Sequence, residues 1–176
     1  EVLQKLRLKN ISRHPDHYGL SIILGGAESN LWDLAQAYTN LASEVNVFAA
    51  TQQYRTAEFQ SLSYTAGSPP DFGKATTALP TIRAGALYSM FSAMKEVNRP
   101  TDDVAWRYYE SARKVAWKTG TSFGNKDASA IGATPEYVVA VWVGNATGEG
   151  RPTLTGVSYA APVMFSIFNA LPHTTW

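Results

Sequence analysis

Between Ala112 and Asn145 the chain passes three times through short β-prone runs, "ARKVAWKTGT", "DASAIGAT" and "EYVVAVWVGN". Gly124 to Lys126 mark the first gap and Pro135 the second. Connections this short cannot carry a parallel crossover, which takes about a dozen residues or more, so the runs are expected as antiparallel neighbours in one sheet. Such a sheet has an apolar face that something must cover. The chain offers "VSYAAPVMFSIFNAL" near its end, an amphipathic run with Tyr159, Val163, Phe165, Phe168 and Leu171 available for packing, and this helix is expected to lie on the sheet.

The first hundred residues read differently. After the apolar run "YGLSIIL" the pattern breaks at Gly25 and Gly26, and Ser29 or Asn30 can cap a helix over residues 29–43. Leu31, Leu34, Ala35, Tyr38, Leu41 and Ala42 recur at helical spacing and are its expected buried face. From about Val45 to Pro80 the pattern dissolves into short β-prone pieces, and Gly67, Pro69, Pro70 and Gly73 forbid regular structure. Helical periodicity returns over 81–97 through Ile82, Leu87, Met90, Phe91 and Met94. The class is therefore α+β: residues 1–100 form a mostly helical part with an irregular excursion, and residues 101–176 form a three-stranded antiparallel sheet with a C-terminal helix.

At 176 residues and 45% apolar content the chain can bury one core and is too short for two full-sized domains. Its 15 basic and 14 acidic side chains nearly cancel, so charge recommends neither nucleic acid nor an anionic membrane as partner. The absence of cysteine excludes disulfides, thiol nucleophiles and cysteine metal sites. No run of about twenty apolar residues occurs. The chain opens at Glu1 without an initiator Met, and we expect it to be cut from something longer.

Within the first β run stand Lys118, Thr119, Gly120 and Thr121. On an edge strand these residues suit acyl transfer involving a carboxylate-terminated peptide. Lys118 supplies a cation for a proton network, and the hydroxyls of Thr119 and Thr121 can donate to a carboxylate. Gly120 lets a substrate backbone lie close, and the Thr121 N–H on the open edge can help hold an oxyanion. The same residues also suit an exposed strand with Lys and Thr on its solvent side and Gly at a bulge.

The stretch "AWKTGTSFGNKDASAIGATPEYVVAVWVGNATGEGRP", continued by "LTG" and "AAPVMFSIFNALP", resembles the C-terminal part of the transpeptidase domain of class A penicillin-binding proteins, nearest their 1C type. Upstream, "YGLSIILGGAESNLWDLAQAY" resembles the same family, and residues 45–80 contribute least. The Lys-Thr-Gly element belongs with a Ser-x-x-Lys and a Ser-x-Asn type element in these proteins. The resemblance implies a β-lactamase/transpeptidase-like fold with a five-stranded sheet, of which the first strands and the nucleophile helix are missing here. The missing strands would pair beside the strand of Tyr137 to Asn145, and self-association through that exposed edge is expected.

The implied activity is the D,D-transpeptidase step of peptidoglycan synthesis through a serine acyl-enzyme. Stem peptides and β-lactams would be its ligands, the missing N-terminal part its partner, and no cofactor would be needed. Such a parent would also carry a glycosyltransferase domain and a membrane anchor upstream, at the periplasmic face of the inner membrane. Two alternatives stand beside it: a serine β-lactamase or D,D-carboxypeptidase, which sends the acyl group to water, and a non-catalytic module that binds wall peptides or a partner protein.

This sequence departs from the family pattern in two respects that matter. No Ser-x-Asn occurs in it. A Ser-x-x-Lys occurs at Ser92 to Lys95, "SAMK", whose spacing puts both side chains on one helix face, but the serine falls well inside its expected helix and only 26 positions before Lys118. We therefore expect the nucleophile, its lysine and the middle motif before Glu1. His14 and His17 in "HPDH" are read as a surface turn rather than a metal site, since no third ligand is apparent. Asp102 and Asp103 read as a solvated turn or cap, Gly25 and Gly26 as a tight turn, and Trp106, Trp117 and Trp142 as core packing.

Overall fold

The computed structural model describes residues 2–64, 71–100 and 113–173, and it divides into two compact units, Glu1–Tyr88 and Ser89–Trp176. The class is α+β, as expected. Among the described residues no helix is long and apolar enough to cross a membrane.

The first unit holds the short helices α1 (Val2–Lys5) and α2 (Pro15–Tyr18), a 3-10 helix at Gly19–Leu24, the long helix α3 (Leu31–Thr51) and a two-residue ribbon of β1 (Tyr54–Arg55) with β2 (Ala75–Thr76). Asn30 caps α3, its side-chain oxygen accepting the Asp33 N–H at 2.7 Å. The helix runs well past its expected end at residue 43. Val45, Val47 and Phe48 have β-prone side chains, yet they continue the helix, and Phe48 stacks on Tyr54 with ring centroids 4.7 Å apart. The left-handed Gln52 then ends it, donating its N–H to the Phe48 carbonyl at 2.8 Å.

The buried face of α3 is also rotated from the expected one. Leu31, Leu34, Ala35 and Tyr38 are half-buried, while Asp33, Gln36, Ala37, Asn40, Leu41, Ala42 and Glu44 are buried. The polar members serve backbone that belongs to no sheet. Asn40 exchanges two hydrogen bonds of 2.9 Å with Gln60, Gln36 accepts the Leu62 N–H at 3.0 Å, and Asp33 accepts the Lys9 N–H at 3.3 Å. Irregular backbone is thus satisfied by side chains projecting from a helix.

Helix α4 (Ala84–Lys95) starts later and ends earlier than the expected 81–97. The Thr81 N–H is taken by the Glu58 carboxylate and lies outside the helix.

In the second unit the three β runs form β3 (Ala116–Thr121), β4 (Asp127–Ala133) and β5 (Val138–Gly144), antiparallel and in the order β3-β4-β5, as the short connections require. Helix α5 (Ala161–Ala170) covers one face. Its Met164, Phe165 and Phe168 pack with Val115, Trp117, Ala130, Val139 and Val141, and the Trp117 and Phe165 rings meet edge to face at 5.1 Å. Leu171 packs at the margin of this core, but Tyr159 and Val163 are 46% exposed. A π-helical turn at Gly156–Ala160 precedes α5 and inserts an extra residue into the expected periodicity, so Ala160 and Ala161 take the inward positions. Arg113 is buried and donates to the carbonyls of Phe168, Leu171 and Pro172, closing the C-terminal end of α5.

Candidate functional site

Strand β3 is an edge strand among the described residues, and it carries all four candidates. Its hydrogen-bond phase follows from one contact. Ser122 donates its N–H to the Asp127 carbonyl at 2.9 Å, which makes that pair a bonded one. Antiparallel partners alternate between bonded and non-bonded, so Lys118 and Gly120 exchange bonds with Ile131 and Ser129 on β4. Thr119 and Thr121 then direct their N–H and C=O groups to the open side. This is the unpaired donor row that the edge-strand reading requires.

Side chains alternate across the same strand. Trp117 lies in the core under α5. Thr121 follows the same direction, with its hydroxyl oxygen accepting the Gly156 N–H at 3.0 Å. Thr119 does so too, since a Cβ on Gly156 would lie 2.9 Å from the Thr119 Cβ. Lys118 and Gly120 face the other way. The Lys118 ammonium donates to the Thr119 carbonyl at 2.5 Å, drawing the cation over the open edge. Among the described residues no acceptor is found for the Thr121 hydroxyl proton. The pairing Gly120 to Ser129 is in register with its neighbours, so the ladder has no bulge at the glycine. A Cβ there would fall 2.7 Å from the Ser129 Oγ.

Together these groups set backbone N–H groups along an edge, two threonine side chains beneath it and an ammonium above. An extended chain can pair with the edge while its terminal carboxylate meets the hydroxyls and the cation.

Ser92 is half-buried inside α4 and Lys95 is the last residue of that helix, so the serine does not occupy a helix start. A second Ser-x-x-Lys runs from Ser111 to Lys114. Ser111 lies outside the described residues, and residues 113–115 belong to no helix. His14 caps α2, its Nδ1 accepting the Asp16 N–H at 3.5 Å. His17 shares a hydrogen bond of 3.0 Å with Arg13. Among the described residues no three His, Cys, Asp or Glu side chains gather to hold a metal ion.

Gly25 and Gly26 form the tight turn after the 3-10 helix, donating to the Ile22 and Ser21 carbonyls. Asp102, Asp103 and Trp106 lie outside the described residues. Trp117 is core, but Trp142 is 45% exposed, with its indole N–H donating to Asp127 at 3.0 Å. Phe123 stands fully exposed at the β3–β4 turn. Two groups that bear on the strand were not singled out from the sequence, Asn125 and Gly156. Neither takes part in a periodic pattern.

No family model matches the chain. Over 152 residues, 86% of its length, it is 31% identical to penicillin-binding protein 1C of Escherichia coli strain K12. The chain spans 17% of that protein's length, so it matches one region of it.

Proposed function

We propose that this chain, matching a region of penicillin-binding protein 1C, supplies the substrate-binding strand of a peptidoglycan D,D-transpeptidase. The observation that carries the reading is the open edge of β3, where the N–H groups of Thr119 and Thr121 are unpaired, the two threonine side chains lie on one face of the strand and the Lys118 ammonium is drawn over the edge from the other. A stem peptide ending in D-Ala-D-Ala pairs with this edge. Its carboxylate is held by the hydroxyls of Thr119 and Thr121, and Lys118 organises the protons around the reacting centre.

A serine from outside these 176 residues attacks the peptide carbonyl, and the Thr121 N–H helps to stabilise the oxyanion. The terminal D-Ala leaves with a proton, forming an acyl-enzyme. The amine of a second stem peptide then attacks the ester, releases the serine and forms the cross-link. β-Lactams acylate the same serine. In this reading the chain is the C-terminal portion of a single transpeptidase domain with a β-lactamase-like fold. Its parent is held at the periplasmic face of the inner membrane by a segment outside this chain and carries a glycosyltransferase domain. Fate of the acyl group separates the cross-linking reading from hydrolysis by a β-lactamase or carboxypeptidase.

The first test is the intact mass of the chain after incubation with benzylpenicillin, followed by peptide mapping. The expected result is no adduct. An adduct on Ser92 or Ser111 overturns the assignment of the nucleophile to residues outside the chain. In the longer protein, Lys118→Ala is expected to slow β-lactam acylation by roughly a hundred-fold, the scale of losing one transition-state contact. An unchanged rate would sink the role given to Lys118.

A further inference from the structure

The connection from β5 to α5 is tied to the candidate strand at both of its ends. At the near end, Gly150 lies so close to the β3–β4 turn that a Cβ on it would sit 2.1 Å from the Gly124 carbonyl oxygen. Asn125, with a left-handed φ of 53°, accepts the Arg151 N–H at 3.0 Å and donates its side-chain amide to the Leu154 carbonyl at 2.8 Å. Leu154 itself is buried. At the far end, Thr155 is extended and takes the Ser158 N–H on its own hydroxyl at 3.2 Å, which leaves the Gly156 N–H to reach Thr121. Only glycine fits there. A Cβ would lie 2.4 Å from the Ser129 carbonyl oxygen and 2.6 Å from that of Gly120.

The consequence is a hydroxyl with its roles assigned. A threonine hydroxyl has one proton to donate and two lone pairs to accept with. The Gly156 N–H occupies a lone pair and fixes the oxygen, and no acceptor among the described residues takes the proton. That N–H also polarises the O–H bond and strengthens it as a donor. We infer that Gly156 is a positioning residue that presents the Thr121 hydroxyl as a donor at the open edge of β3, and that Asn125 holds the connection in register for it. The inference rests on the reading of β3 as the strand that receives a peptide carboxylate.

The test is an NMR titration of the chain with an N-acylated peptide ending in D-Ala-D-Ala, as the free carboxylate and as the C-terminal amide. The wild type is expected to bind the carboxylate about ten-fold tighter, the worth of one charge-assisted hydrogen bond. Gly156→Ala is expected to abolish the preference. Asn125→Gly, which suits the left-handed backbone and removes only the side-chain tie, is expected to lower it by about three-fold while leaving amide binding unchanged. Thr121→Ser, which keeps the hydroxyl, retains it. Full preference in Asn125→Gly and in Gly156→Ala overturns the positioning role and leaves the strand's reading intact. A wild type that treats the two peptides alike overturns the reading of β3, and this inference with it.

Discussion

Glu44 shows how a single side chain can oppose the fold that contains it. It is buried on α3, and one of its carboxylate oxygens has no hydrogen-bond partner among the described residues. Burial pushes its carboxyl up from the usual range, and the nearby Glu58 carboxylate pushes it in the same direction. A raised folded-state value means that the folded state holds this proton more tightly than the unfolded chain does. Its contribution is fully present below the ordinary glutamate range and is lost as pH rises through the raised value. Glu44→Gln, uncharged at every pH, is therefore expected to gain stability relative to the wild type as pH rises from acidic to neutral, read by urea denaturation at several pH values. A difference that stays flat with pH would remove this account. Lys118 to Thr121 were legible at the same scale, because strand side chains alternate and an edge leaves alternate N–H groups unpaired. Gly156 was not legible, since the Cβ it lacks would fall 2.4 Å from the Ser129 carbonyl oxygen, supplied by another strand.

For the elements, strands proved easier to read than helix faces. Short gaps dictate antiparallel pairing for any sequence, and β3, β4 and β5 fall where the runs predict. Helix α3 hides Asp33, Gln36 and Asn40 because these side chains satisfy backbone at residues 9, 60 and 62, a partnership that periodicity cannot report. The π turn before α5 misled in another way, by rotating the apolar face after the spacing had been counted. Sheet and helix meet closely at Gly132, where a Cβ would fall 2.7 Å from a Phe168 ring carbon, 2.9 Å from the Met164 sulfur and 2.9 Å from a Val115 methyl. Gly132→Ala is expected to destabilise the protein by about 1–3 kcal/mol through overpacking, measured by thermal or urea unfolding. An unchanged midpoint would mean that α5 sits looser on the sheet than these distances require.

At the scale of the molecule, the sheet has a second edge. The Thr134 N–H donates to the Tyr137 carbonyl at 2.9 Å, and alternation from that pair leaves Val138, Ala140, Trp142 and Gly144 with their N–H and C=O groups turned away from β4. No described strand pairs with them. An apolar edge of this kind templates pairing with another copy, so the chain is expected to self-associate in sedimentation velocity. Ala140→Pro removes an outward N–H without breaking the ladder and is expected to shift the chain toward monomer. A wild type that sediments as a monomer at all concentrations would set this aside. Sequence alone determined the α+β class, the three strands with their order, and the residues of the candidate strand, because these follow from local spacing, chain connectivity and the period of a strand. Only the tertiary structure decided which face of each helix turns inward, where Asn125 and Gly156 grip the strand, and which lone pair of Thr121 is occupied. Those outcomes depend on backbone groups distant in sequence that meet only once the chain has folded.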